Sequence, residues 1–169
     1  MREFSKIKCT IWSSRKFSTL SDPHKMFYLY LHTNGRINSC GCYNNPVGYI
    51  GVDLKWTPET IISAYKSCKD AGLVRYETTT ETVFIEGFFC VNAPHNPKHA
   101  IKVMADIAAI QVPNFKKERA EELKNLIIHS GWRIEEDCLK RLDILISTGV
   151  LPAAHKIKKE KNGDWKKLV

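Results

Sequence analysis

The chain has 169 residues, 43% of them hydrophobic, which suits one ordinary domain or a compact domain with a helical appendage and excludes wholesale disorder. Its formal net charge is +8, from 26 Lys+Arg against 18 Asp+Glu, a field that draws polyanions, of which nucleic acid is the commonest. No apolar run approaches the ~20 residues that cross a bilayer. The start, MREFSKIKCTIWSSRKF, lacks the apolar stretch and small-residue cleavage site of a signal peptide, so a cytoplasmic location is expected.

Ser21-Asp22-Pro23 marks the first clear helix start, with a polar cap and a proline at an early helical position. Met26, Phe27, Leu29, Tyr30 and Leu31 follow at helical period, and Asn34-Gly35 stops the helix. Arg36 to Asn45 is turn-rich, with a short stretch around Cys40 to Tyr43 able to pair as a strand. Val47 to Leu54 reads as a short second helix with Val47, Ile50 and Leu54 inward. Thr57-Pro58-Glu59 begins a third, Thr57 as N-cap and Pro58 at the first helical position. It runs to about Ala71 with Ile61, Ile62, Tyr65 and Cys68 inward, and Gly72 closes it. Leu73 to Glu77 and Thr82 to Glu86 are β-branched and aromatic and predict a hairpin about Thr78-Thr79-Thr80. Three helices and then a hairpin is the order of a winged helix-turn-helix.

Beyond Cys90 the pattern changes. Asn92 to Pro97 reads as a linker, with His95 and His99 bracketing a helix start. Lys98 to Ile110 is predicted helical with Ile101, Met104, Ala105 and Ala108 on one face. Phe115 to His129 and Ile134 to Thr148 are two more amphipathic helices joined at Ser130-Gly131, with stripes of Leu123, Leu126 and Ile127, then Ile134, Cys138, Leu142 and Leu145. The stripe carrying Leu139, Leu142, Leu145 and Ile146 is wide enough to predict a homodimer through these helices. The tail KIKKEKNGDWKKLV is basic and carries Trp165 among six lysines. The expected fold is therefore mostly α with a small β-hairpin wing: a winged helix-turn-helix over 1–92, C-terminal amphipathic helices over 93–150, and a basic tail over 151–169.

The third helix of a winged helix enters the major groove. Its outward set here is Thr57, Thr60, Ser63, Lys66, Ser67 and Lys69: hydroxyls that donate or accept at base edges, and lysines that favour guanine or phosphate. Arg75 and Thr79 on the wing, Arg15 and Lys16 ahead of the first helix, and Arg36 after it are phosphate candidates. Glu59 and Asp70 lie on the same helix and make it less basic than many DNA readers, which leaves open a winged helix that binds protein. Cys40-Gly41-Cys42, with His24 and His32 near in sequence, does not have the spacing of a structural zinc site, and no metal or cofactor is expected. The six cysteines read as reduced thiols. No Gly-rich phosphate loop precedes a helix, so the chain reads as a binding protein rather than an enzyme. Trp12 and Trp56 are expected as core or inter-element anchors.

Three stretches carry a resemblance: Ile11-Trp12-Ser13-Ser14-Arg15-Lys16-Phe17 leading into KMFYLYLHTN, Thr57-Pro58-Glu59 through Ala71-Gly72-Leu73-Val74, and Thr82 to Phe89 followed by Asn92 and a lysine-bearing helix. Together they resemble the N-terminal winged-helix domain of phage replication proteins of the replisome-organiser and DnaD-like type, over Ile7 to about Ile110. The resemblance implies an origin-binding protein of the bacterial cytosol that holds double-stranded DNA and recruits a host helicase or its loader. A winged-helix transcription regulator and a pure interaction module are the alternatives.

Overall fold

The computed structural model describes residues 4–130 and 136–153. Gly131, Ile134, Glu135 and the basic tail with Trp165 lie outside the described residues. The chain is mostly helical, with one small three-stranded antiparallel sheet. A 3-10 turn, Cys9–Ser13, leads into α1 (Arg15–Ser18), where the Ser14 hydroxyl caps the Phe17 N–H. In α2 (Asp22–Thr33), Pro23 stands in the first turn and Asn34 closes the helix. The Asn34 amide donates to the Tyr30 carbonyl at 3.0 Å and to the Tyr43 hydroxyl at 2.7 Å, and that hydroxyl donates to the Leu31 carbonyl at 2.6 Å. One asparagine thus joins the end of α2 to β1 (Cys42–Asn44).

Two helices follow, α3 (Val47–Leu54) and α4 (Pro58–Asp70), and then the hairpin of β2 (Val74–Glu77) and β3 (Thr82–Ile85). β3 lies in the centre of the sheet, with Cys42 of β1 opposite Phe84 and Val74 of β2 opposite Ile85. α4 ends in a Schellman motif: Gly72 N–H donates to the Lys69 carbonyl at 2.8 Å and Leu73 N–H to the Cys68 carbonyl at 2.9 Å. This requires the left-handed backbone of Gly72, φ +65°. Gly41 is left-handed too, and a Cβ there would run into the Phe88 ring. The Cys40-Gly41-Cys42 run is therefore shaped by a close backbone approach. Both thiols are buried, and burial pushes the Cys40 thiol up to about 12. All six cysteines are free, and among the described residues no group of three or more potential ligands gathers about a metal position.

The C-terminal half comprises α5 (Phe89–Asn92), α6 (Pro97–Ala108), α7 (Pro113–His129) and α8 (Glu136–Thr148). Asn92, at the start of the expected linker, is buried and clamps Lys6, accepting from its N–H and donating to its carbonyl, each at 2.9 Å. α6, α7 and α8 share one hydrophobic core with the first half of the chain. Arg119 of α7 is fully buried against the sheet. It donates to the Ile85 carbonyl at 2.7 Å and to Glu122 at 2.6 Å, and its guanidinium lies 3.8 Å from the centre of the Phe84 ring and 5.1 Å from that of Phe89. Phe115 adds a ring 5.2 Å from Phe84, and Asp106 of α6 accepts from Ser39 N–H at 2.9 Å.

Four expectations are corrected. Ile62 is 58% exposed, and Ala64 takes the inward place beside Ile61, Tyr65 and Cys68. On α6 the inner stripe is Ala100, Val103, Met104 and Ile107, one residue out of step with the expected set, and Ile101 is 48% exposed. Both stripes have helical spacing, and the partners packed against the helix choose between them. Trp12 is 65% exposed, its ring edge-on to Phe17, whereas Trp56 is half-buried and stacked on Phe27. Finally, Leu142 and Leu145 are fully buried within the chain, with Leu139 and Ile146 packed on the same core. The stripe is closed inside one molecule, and the expectation of a homodimer through it loses its premise. Among the described residues no helix is long and apolar enough to cross a membrane.

Candidate nucleic-acid interface

The candidate surface is built on α4. Thr57 accepts from Thr60 N–H at 3.4 Å, and the two hydroxyls lie 3.1 Å apart, so both are drawn into the N-cap. With Ile61, Ala64, Tyr65 and Cys68 buried, the helix shows Glu59, Ile62, Ser63, Lys66, Lys69 and Asp70 outward. Lys66 pairs with Asp70 one turn on, at 2.7 Å, and both side chains are well exposed. An ion pair in open water contributes little, so this lysine is free to exchange Asp70 for a phosphate. Among the described residues Lys69 makes no ion pair.

Ser67 is half-buried because it faces a second element. Arg15, Lys16, Thr19, Ser21 and His24 of the α1–α2 region close with Ser67 and Asp70 around an open cleft of about 570 Å³. α1 is only one turn long and is held by the buried Phe17, which leaves Arg15 and Lys16 on the outside. Lys16 donates to the Gly72 carbonyl at 3.0 Å, fastening α1 to the end of α4. The tertiary structure thus brings Arg15, Lys16, Ser67 and the end of α4 together, although about fifty residues of chain separate them. His24, which also lines the cleft, was not among the sequence candidates for this surface.

The hairpin differs more from expectation. Arg75 does not stand free for phosphate. It makes a two-bond fork to Glu118 of α7, at 2.8 and 2.6 Å, pairs with Glu86, and lies 4.1 Å from the Phe84 ring centre. The Arg75 guanidinium holds the Glu118 carboxyl below its usual range. Two guanidinium groups, from Arg75 and Arg119, therefore contact one phenylalanine and tie the hairpin to α7. At the turn Thr79 is exposed, but its N–H donates to Glu77 at 3.0 Å. Thr80 donates to the same carboxylate through both N–H and hydroxyl, each at 2.6 Å. The tip presents a carboxylate as well as hydroxyls, which weakens it as a phosphate seat. Glu81, at φ +49°, accepts from Val47 N–H at 2.9 Å and so caps α3 from the hairpin turn.

These bonds, with the Thr80 hydroxyl foremost, draw the Glu77 carboxyl down to about 2. Because the folded value lies below that of the unfolded chain, the stabilisation is complete above the ordinary carboxylate range and is lost as pH falls through the folded value. The Glu77 carboxyl carbon, followed by NMR, is expected to titrate near pH 2, with the Thr79 and Thr80 amide signals moving alongside it. A midpoint in the ordinary range with stationary amides would remove this account of the turn.

His95 and His99 meet through their Nδ1 atoms at 3.1 Å, one imidazole donating to the other beside the Asn96 N-cap of α6. Comparison with known proteins finds no family model, no curated protein and no solved structure that matches the chain.

Proposed function

We propose that this chain is a binding protein for double-stranded DNA, built as a winged helix-turn-helix with α4 as the helix that enters the major groove. The observation that carries the reading is the outer face of α4: Ser63, Lys66 and Lys69 lie on one exposed surface, and the cleft holding Arg15 and Lys16 adjoins the end of the same helix. α4 runs straight into a hairpin, as in winged helices, and the net charge of +8 favours a polyanion. Arg36 remains a further phosphate candidate, its guanidinium lying 4.2 Å from the Tyr49 ring centre. Of the sequence candidates, Arg75 is assigned instead to the fold. The resemblance read from the sequence, to phage replication initiators, extends the proposal to origin DNA in a bacterial cytosol, with a host helicase or its loader as the partner. Exposed Tyr49 and Val52 on α3 and Ile62 on α4 favour a second reading, in which this side of the molecule docks a protein.

The test is fluorescence anisotropy with labelled random duplex DNA across a series of salt concentrations. Affinity is expected to fall steeply with salt, each neutralised phosphate adding about −0.9 to the slope of log K against log salt. Lys66→Ala and Lys69→Ala should each reduce that slope by about one such unit, whereas Ser63→Ala should change sequence preference and leave the slope alone. No duplex binding even at low salt would remove the DNA reading and leave the protein-docking one.

A further inference from the structure

Ile62 is the residue of α4 that the core does not explain. Its neighbour Ile61 is fully buried and fills the place that a helical stripe requires, while Ile62 is left 58% exposed. A single exposed isoleucine is unremarkable by itself. Its position is what distinguishes it. Ile62 stands one turn after Glu59, one turn before Lys66, and next to Ser63. The outer face thus carries a carboxylate first, an apolar group and a hydroxyl in the middle, and Lys66 and Lys69 last, with Asp70 paired to Lys66 at the same end.

This arrangement separates two jobs. Phosphates favour Lys69, and Lys66 where it exchanges the solvent-exposed Asp70 for them, while the Glu59 carboxylate repels them from the other end. The middle of the face is then directed at base edges rather than at the backbone, in the part of a recognition helix that commonly contacts bases. From Glu59 to Lys66 the helix rises about 10 Å, close to three base steps at about 3.4 Å each. The major groove offers one methyl group to an apolar side chain, at C5 of thymine.

Resting on the DNA-binding reading above, we propose that Ile62 is a specificity-determining residue that recognises DNA by packing on the 5-methyl group of a thymine in the major groove, beside the base pair met by Ser63. The contact involves no hydrogen bond. It favours thymine by removing a methyl group and the Ile62 side chain from water together.

The chemical test is the exchange of thymine for uracil, which deletes that methyl and leaves base pairing intact. Duplexes selected by the full-length protein from a random pool would be resynthesised with deoxyuridine at each thymine in turn, and binding measured by anisotropy. At one position the exchange is expected to weaken binding by about fourfold, the effect of one buried methyl-sized group. Ile62→Ala, at an exposed position and so expected to fold like the parent, should bind the thymine duplex about as weakly and show no difference between the two forms. The thermal midpoint of the variant checks its folding. Duplex binding with no thymine position sensitive to the exchange, or equal sensitivity in Ile62→Ala, overturns the thymine contact and leaves DNA binding intact. Absence of any duplex binding by the parent overturns both.

Discussion

Replacing Arg119 by alanine is expected to cost about 3 kcal/mol of stability or more, toward the lower end of what breaking a buried ion pair costs. Arg119 is fully buried, and three kinds of contact end on its guanidinium: the Ile85 carbonyl, the Glu122 carboxylate, and the rings of Phe84 and Phe89. Alanine removes them and leaves a void under the sheet, which adds a cavity cost to the lost bonds. Glu122 limits the loss, because its side chain is about one-third exposed and can turn to water. Burial already raises the Glu122 carboxyl above its usual range, with Arg119 opposing that rise, so the variant should also hold this proton to higher pH. A raised carboxyl value is stabilising only while the group is protonated, so the variant should lose further stability as pH rises through that range. Arg119→Met with Glu122→Gln keeps the volume, removes both charges, and should recover more than half of the loss. Urea denaturation of the three proteins measures this. A cost below about 1 kcal/mol for the alanine variant would show that the guanidinium is dispensable.

Ending the chain after Asn96 is expected to yield a protein that aggregates, not a smaller folded DNA-binding unit. Removing α6, α7 and α8 takes away the residues packed on Phe84, Ile85 and Phe89, all of which are buried in the whole chain. It also removes both oxygens of the Glu118 fork to Arg75 and the Asp106 acceptor of Ser39. Re-exposing a large apolar side chain costs about 1.5–3 kcal/mol, and several such residues together exceed much of the 5–15 kcal/mol that holds an ordinary domain. Light scattering, near-ultraviolet circular dichroism and a urea titration test the fragment. A monomer that unfolds cooperatively at the parent's midpoint would mean that the first half stands alone and that the helices behind it add no stability.

Local chemistry made much of the fold legible. Thr57-Pro58 and Gly72 bound α4 because a cap, a fixed φ and a left-handed stop each act within a few residues. The hairpin about Thr78 to Thr80 and the helices of the C-terminal half were likewise written in short-range pattern. Half of the net charge was legible too, in six lysines against two acids over 154–169. The candidate surface was legible only in outline: Ser63, Lys66 and Lys69 were found, while Ile62 was placed on the wrong side.

What sequence by itself determined is the order and limits of these elements and the residues available on them, because capping, turn conformation and helical period depend on near neighbours. The tertiary structure alone decided which of two adjacent isoleucines faces out, since Ile61-Ile62 satisfies the same periodicity in two rotations and only the packing against α2 and α3 selects one. It also decided that Arg75 serves the fold, because its partner Glu118 lies on a helix that begins some forty residues later. The same holds for Arg119, a charge whose burial no local pattern announces: a guanidinium can leave water only where distant residues supply a carbonyl, a carboxylate and aromatic faces together, and that conjunction exists only once the chain has folded.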